Sequence, residues 1–208
     1  MEIQLYSIAY PVTSLGPGRR VVVWLAGCKK RCKGCISPEM QDFKAGRRIA
    51  VAKLLRKISK LSEMVEGITI SGGEPFEQLD ALDELLNGLT RQMPQWNVIV
   101  YTGYTLSTLV ADSDKSINIL NKIDVLIDGP YRMETPTDHP LKGSGNQRIH
   151  YLTKKGQSVK KQLDNMRITK INLGIGNDMQ VLIGIVGQEE RCGIHRALGI
   201  KKSTAITT

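Results

Sequence analysis

The chain has 208 residues, of which 41% are hydrophobic, 24% charged and 5% aromatic, with a net charge of +9. These values exclude a disordered or fibrous protein and fit one well-buried catalytic core, since single domains usually run to roughly 100–200 residues. The positive charge invites a nucleic-acid reading, but the basic residues cluster beside the cysteines (Lys29, Lys30, Arg31, Lys33) and in a later stretch (Lys154, Lys155, Lys160, Lys161), with no aromatic stacking surface between them, which argues against nucleic acid.

The cysteine-side cations suit an acidic protein partner or an electron donor better. No run approaches the roughly 18 apolar residues of a membrane span, and the opening MEIQLYSIAY lacks a basic segment followed by an apolar one. The expectation is a cytoplasmic protein with no membrane association.

In chain order, Arg20 to Ala26 (RVVVWLA) is a continuous β-branched apolar run, the pattern of a strand covered on both faces in a parallel sheet, and it leads straight into Cys28. Val51, Leu54, Leu55, Ile58 and Leu61 then recur at helical spacing, with Lys53, Arg56, Lys57 and Lys60 opposite them. Gly67 to Ser71 reads as a short strand ending at Gly72-Gly73, and Leu79, Leu82, Leu85, Leu86 and Leu89 line one face of a second helix. Asn97 to Tyr101 and Asp124 to Ile127 are further strands, separated by a helical segment from Thr105 to Ile123.

This alternation predicts an α/β fold with right-handed crossovers and a parallel sheet, whose ligands gather at the carboxyl ends of the strands. Cys28, Gly72-Gly73, Thr102-Gly103 and Asp128-Gly129 each follow a strand directly and fall on that edge. Further on, Gly143, Ser144 and Gly145 form a flexible loop ahead of the strand-like RIHYL. Its Asn146, Gln147 and Arg148 either grip an extended peptide or carboxylate, or the loop packs across the open edge of the sheet.

Beyond residue 155 the chain turns basic and polar. Two strand-like runs, Ile168 to Ile175 and Gln180 to Val186, are joined by Gly176-Asn177-Asp178, which predicts a hairpin. Gln188 to Leu198 reads as a short closing helix before the polar tail Ser203 to Thr208. The expected division is a core over 1–155 and a C-terminal extension over 156–208.

The chemistry-bearing residues are Cys28, Cys32 and Cys35, spaced C-x3-C-x2-C, and Ser71-Gly72-Gly73-Glu74-Pro75 one strand later. Soft thiolates on a tight loop suit an iron-sulfur cluster, and three ligands on a four-iron cubane leave one iron open. Zinc is the competing reading, with Cys192 or His195 as a distant fourth ligand. His139 and His150 lack metal-ligand spacing and read as structural. The flanking cations are expected to lower the thiol pKa values and to offset the cluster's charge. Paired glycines at a strand end permit close backbone approach to a ligand, and Glu74 offers an acceptor for an ammonium group.

Taken together, GPGRR (Gly16 to Arg20), GCKKRCKGC (Gly27 to Cys35), ISGGEP (Ile70 to Pro75), YTGYT (Tyr101 to Thr105), IDGPY (Ile127 to Tyr131) and GSGNQRIHYL (Gly143 to Leu152) resemble the radical S-adenosylmethionine (SAM) superfamily. Within it, the resemblance is to the anaerobic ribonucleotide reductase activating proteins, which are glycyl-radical enzyme activases. It implies a partial, open α/β barrel, to which the C-terminal hairpin and helix predicted from the residues are an addition.

The resemblance also implies a [4Fe-4S] cluster on Cys28, Cys32 and Cys35, and SAM chelated to the open iron. Reduction there yields methionine and a 5'-deoxyadenosyl radical that abstracts hydrogen from a glycine of a protein partner. Carried over by position, Gly72, Gly73 and Glu74 meet the methionine end of SAM, Gly34 and Ile36 lie near the adenine, and Thr102 and Asp128 belong to the pocket floor. No catalytic side chain is implied beyond the cluster ligands. The implied partners are a glycyl-radical protein such as anaerobic ribonucleoside-triphosphate reductase and a reduced flavodoxin- or ferredoxin-type electron donor. The alternatives are a radical SAM enzyme acting on a small molecule or peptide, and a zinc-binding interaction module. Two departures stand out: Ile36-Ser37 where the branch often has His or an aromatic and then Asn, and the segment past residue 155.

Overall fold

A computed structural model describes residues 1–166, 171–175, 180–185, 193 and 196. Its elements, in chain order, are β1 (Glu2–Val12), β2 (Arg20–Leu25), β3 (Arg47–Ala50), α1 (Val51–Ser59), β4 (Gly67–Gly72), α2 (Leu79–Gln92), β5 (Asn97–Tyr101), α3 (Leu106–Asp112), α4 (Asp114–Leu120), β6 (Val125–Asp128), β7 (Arg148–Tyr151), α5 (Lys154–Asp164), β8 (Asn172–Ile175) and β9 (Gln180–Ile183).

Seven strands form one sheet in the order β3-β1-β2-β4-β5-β6-β7. The central β2, β4, β5 and β6 are parallel, as their unbroken apolar runs require, while β1 and β3 on one flank and β7 on the other run antiparallel. Among the described residues the edge strands do not meet, so the sheet is open. The antiparallel flank was not legible beforehand, because β1 carries two register irregularities that break its alternation.

Successive residues of β2 point to opposite faces. Val21, Val23 and Leu25 pack under the helices with Leu54, Ile58, Leu82 and Leu85. Val22 and Trp24 on the other face pack with Leu15, Met40 and Ile183. Helices α1 and α2 approach closely because Gly88 has no side chain where a Cβ would stand 2.2 Å from a Leu55 methyl.

Arg20 shares the face of Val22 and is fully buried. All five of its N–H groups are donated: to Thr69 Oγ1, Pro17 O, Asn97 Oδ1, Ile68 O and Asn97 O. A planar fork of donors thus ties the amino ends of β2, β4 and β5 together without a carboxylate partner.

One expectation changes. The helical segment from Thr105 to Ile123 is two helices, because Ser113 is extended (φ −165°, ψ 158°) and accepts from the Ser116 amide, which caps α4. Helix α5 runs across residue 155 and buries Val159 and Leu163 against Ile99, Val125 and Ile127. Its first turn lies so close to β6 that a Cβ on Gly156 would stand 2.1 Å from the Asp124 carbonyl.

In the C-terminal extension, β8 and β9 pair antiparallel, as a hairpin. The turn expected at Gly176-Asn177-Asp178, the helix expected over Gln188 to Leu198 apart from two positions, the tail, Cys192 and His195 lie outside the described residues. No helix among the described residues is long and apolar enough to cross a membrane.

Candidate cluster and cofactor site

At the carboxyl ends of β2, β4 and β5 lies a cleft of about 700 Å³, counted out to its open mouth, lined by Cys28, Cys32, Cys35, Gly72, Gly73, Glu74 and Thr102. The cysteine loop curls because Gly27, Arg31 and Gly34 all take positive φ (97°, 50° and 68°). Its start is pinned by two amides, Gly27 N to Met40 O at 2.8 Å and Cys28 N to Gln41 O at 3.1 Å. All three cysteines are half-buried, free thiols.

Burial pushes the Cys28 and Cys35 thiols up, against opposing hydrogen bonds from the Lys30 and Arg31 amides to Cys28 and from the Ser37 amide and Gln41 side chain to Cys35. The expectation that flanking cations lower these pKa values is therefore corrected. Lys29 pairs with Glu77 at 2.7 Å and Lys30 sits 3.7 Å over the Tyr104 ring, so both are engaged on their own protein.

The turn after β4 is held against the cysteine loop. Gly73 N donates to Leu25 O and Glu74 N to Gly27 O, each at 2.8 Å. Gly72 has φ +109° and a Cβ there would stand 2.3 Å from Leu25 O, while a Cβ on Gly73 would stand 2.4 Å from Gly27 O. Only side-chain-free residues let the two strand ends approach this closely.

Glu74 is 1% exposed. Its carboxylate accepts Phe76 N at 3.1 Å and Thr102 Oγ1 at 2.8 Å on one oxygen, and Gly103 N at 2.7 Å on the other. Burial raises its pKa to about 7, against those three donors and Lys30.

Ile36 also lines the cleft, joined by residues that sequence reasoning did not single out for it: Tyr101, Tyr131, Gly143 and Ile185. The Tyr101 hydroxyl is buried with no hydrogen-bond partner among the described residues. Its place at a strand end beside Thr102 was the available signal. Two expected residues stand outside the lining. Gly34 serves the loop's left-handed turn, where a Cβ would stand 3.0 Å from Met133 Sδ. Asp128 faces the other way, its Oδ2 accepting Leu106 N at 2.6 Å and standing 3.1 Å from His150 Nε2.

The GSGNQR loop consumes its own donors. Gln147 Oε1 accepts Gly143 N at 2.7 Å while its Nε2 donates to Gly129 O, and Asn146 Nδ2 donates to Pro130 O. These bonds pack the loop across Gly129 and Pro130.

The fit to a cluster rests on the donor set. Three thiols around one cleft, with amide hydrogens directed at two of the sulfurs, suit a thiolate-ligated multi-iron group.

The family model of the 4Fe-4S single cluster domain matches residues 14–150, and the chain belongs to that family. Within it, the chain is similar to the anaerobic ribonucleoside-triphosphate reductase-activating proteins of Vibrio cholerae (31% identical over 156 residues, 71% of this chain and 98% of that protein) and enterobacteria phage T4 (29% over 148 residues, 69% and 92%). The Escherichia coli K12 protein of the same name is 29% identical over 154 residues, covering 71% of this chain and 98% of its own length.

Proposed function

We propose that this chain is a radical SAM activating enzyme that reductively cleaves S-adenosyl-L-methionine and generates a glycyl radical on a protein partner, such as anaerobic ribonucleoside-triphosphate reductase. The observation that carries the reading is the convergence of Cys28, Cys32, Cys35, the Gly72-Gly73 turn and Glu74 on one cleft. The names of the relatives and the iron-sulfur family model support it.

In this reading Cys28, Cys32 and Cys35 hold a [4Fe-4S] cluster. When bound, the cluster and SAM together supply one-electron cleavage of a carbon-sulfur bond and removal of a hydrogen atom from the partner's glycine. The protein's own residues bind, orient and exclude water. Gly72 and Gly73 present bare backbone to the methionine end of SAM, and Glu74 fixes the Thr102-Gly103 turn while leaving acceptor capacity for an ammonium group. Ile36 and Tyr131 give the cleft apolar surface suited to an adenine. A reduced flavodoxin- or ferredoxin-type protein is the electron source, and the cell's cytoplasm is the matching compartment.

The test is anaerobic. Cluster-loaded protein, reductant and SAM should yield 5'-deoxyadenosine, and addition of the partner should give a glycyl-radical doublet by electron paramagnetic resonance. A protein that cleaves no SAM overturns the enzyme, and one that cleaves SAM but never forms the doublet overturns the partner.

A further inference from the structure

The family model stops at residue 150, and the Vibrio relative, matched over 98% of its own length, accounts for only 71% of this chain. The hairpin of β8 and β9 lies beyond the residues that the family model matches, yet it is fastened to the core and leads to the cleft. Asn172 Oδ1 accepts the backbone N–H groups of Thr13 and Ser14 at 2.9 and 3.0 Å, and its Nδ2 donates to Thr13 Oγ1 at 3.2 Å. The buried Ser14 hydroxyl donates to Ile183 O at 3.1 Å. The Ile183 side chain is 5% exposed among Val12, Leu15, Val22, Trp24 and Met40, on the face of β2 away from α1 and α2. Two residues on, Ile185 packs against the same cluster and lines the cleft that holds the cysteines.

Asn172 of β8 and Ile183 of β9 are partners across the ladder, so a polar hook and an apolar anchor hold the same end of the hairpin, two residues before Ile185. Ile36 and Tyr131 add apolar surface to the same lining beside Gly143, where a Cβ would stand 2.9 Å from Ile36 Cδ1 and 3.2 Å from Tyr131 Cδ2. Ile185 thus shares one lining with Cys28, Cys32 and Cys35.

We propose that the C-terminal hairpin is a specificity element of this cleft, in which the Ile185 side chain supplies an apolar wall beside which an extended polypeptide segment with a glycine at the reacting position fits and a bulkier residue does not. This rests on the activase reading and names the substrate shape for the same site. Glycine is the residue whose backbone carbon can pass a narrow apolar slot without a side chain to clash.

The test uses the full chain with Ile185→Ala, Ile185→Leu and Asn172→Ala. Two quantities are read: glycyl radical formed on the partner per 5'-deoxyadenosine released, and amide hydrogen exchange at Thr13 and Ser14 in the cluster-free protein. Ile185→Ala should lower the coupling ratio about three- to tenfold by loosening the fit of the partner's backbone, and Ile185→Leu should restore it. Asn172→Ala should speed exchange at Thr13 and Ser14 at least about tenfold as the hook is lost, and lower the coupling ratio in the same direction. A ratio unchanged in both Ile185→Ala and Asn172→Ala overturns the proposal, as does unchanged exchange in Asn172→Ala. Failure of the activase reading looks different, because the unaltered protein would then form no 5'-deoxyadenosine or no glycyl radical at all.

Discussion

The Glu74 carboxylate accepts the Thr102 hydroxyl at 2.8 Å, so the turns after β4 and β5 are held to each other at the strand edge where the cysteine loop lies. Removing that carboxylate leaves the Thr102 hydroxyl and the Phe76 and Gly103 amides without their acceptor in a buried place. We expect Glu74→Ala to cost about 2–4 kcal/mol in unfolding free energy and Thr102→Val about 1 kcal/mol. Denaturant unfolding of the cluster-free chain checks both.

The same carboxyl makes stability depend on pH. Its folded pKa of about 7 lies above the ordinary 4.5, so between those values the folded chain holds a proton that the unfolded chain has released. Stability from this group is therefore greatest at acid pH and falls as pH rises toward 7, with a slope of at most about 1.4 kcal/mol per pH unit. Glu74→Gln should flatten that slope. The difference in unfolding free energy between the two proteins, followed from pH 5 to 8 or so, checks the sign; a difference that grows the other way contradicts it.

Gly73 is where a single methyl should disturb the cysteine loop. A Cβ there would stand 2.4 Å from Gly27 O and 2.8 Å from Met40 O, both backbone atoms that cannot swing aside. Relief requires the loop before Cys28 to move. Gly73→Ala should cost about 1–3 kcal/mol and should lower iron taken up per chain in anaerobic reconstitution, read by iron and sulfide analysis.

Arg20 gives a stability test far from the cysteines. Methionine at that position keeps much of the volume but leaves Thr69, Ile68, Pro17 and Asn97 with buried acceptors unpaired. Arg20→Met should destabilise by about 3–5 kcal/mol, and Arg20→Lys should recover only a fraction, because an ammonium cannot reproduce the guanidinium fork. Thermal unfolding of the three proteins side by side reads the effect.

What could be seen in advance follows from how local each feature is. The strands β2, β4 and β5 announce themselves as apolar runs because they are covered on both faces, and the Gly72-Gly73 turn and the cysteine spacing are contiguous signals. By contrast, α5 shows only Val159 and Leu163 as apolar anchors in a basic stretch, and β1 hides its alternation behind register irregularities. At the site, Glu74 stood out as a possible ligand group, but its bond to Thr102 spans 28 residues and no spacing rule encodes it. Ile185 was invisible for the same reason, since it is brought to the cleft by a hairpin fastened to the loop after β1. Asp128, the last residue of β6, holds the first amide of α3, a contact across 22 residues that no spacing rule encodes.

The most direct measurement is iron content and SAM turnover on oxygen-free protein, for the unaltered chain and for Cys28→Ala, Cys32→Ala and Cys35→Ala. We expect about four irons per chain in the unaltered protein, with 5'-deoxyadenosine released on reduction, and loss of both in every cysteine variant. Full iron loading in any one of those variants, or a loaded unaltered protein that leaves SAM intact under reductant, would contradict a three-cysteine cluster with an open iron at this cleft.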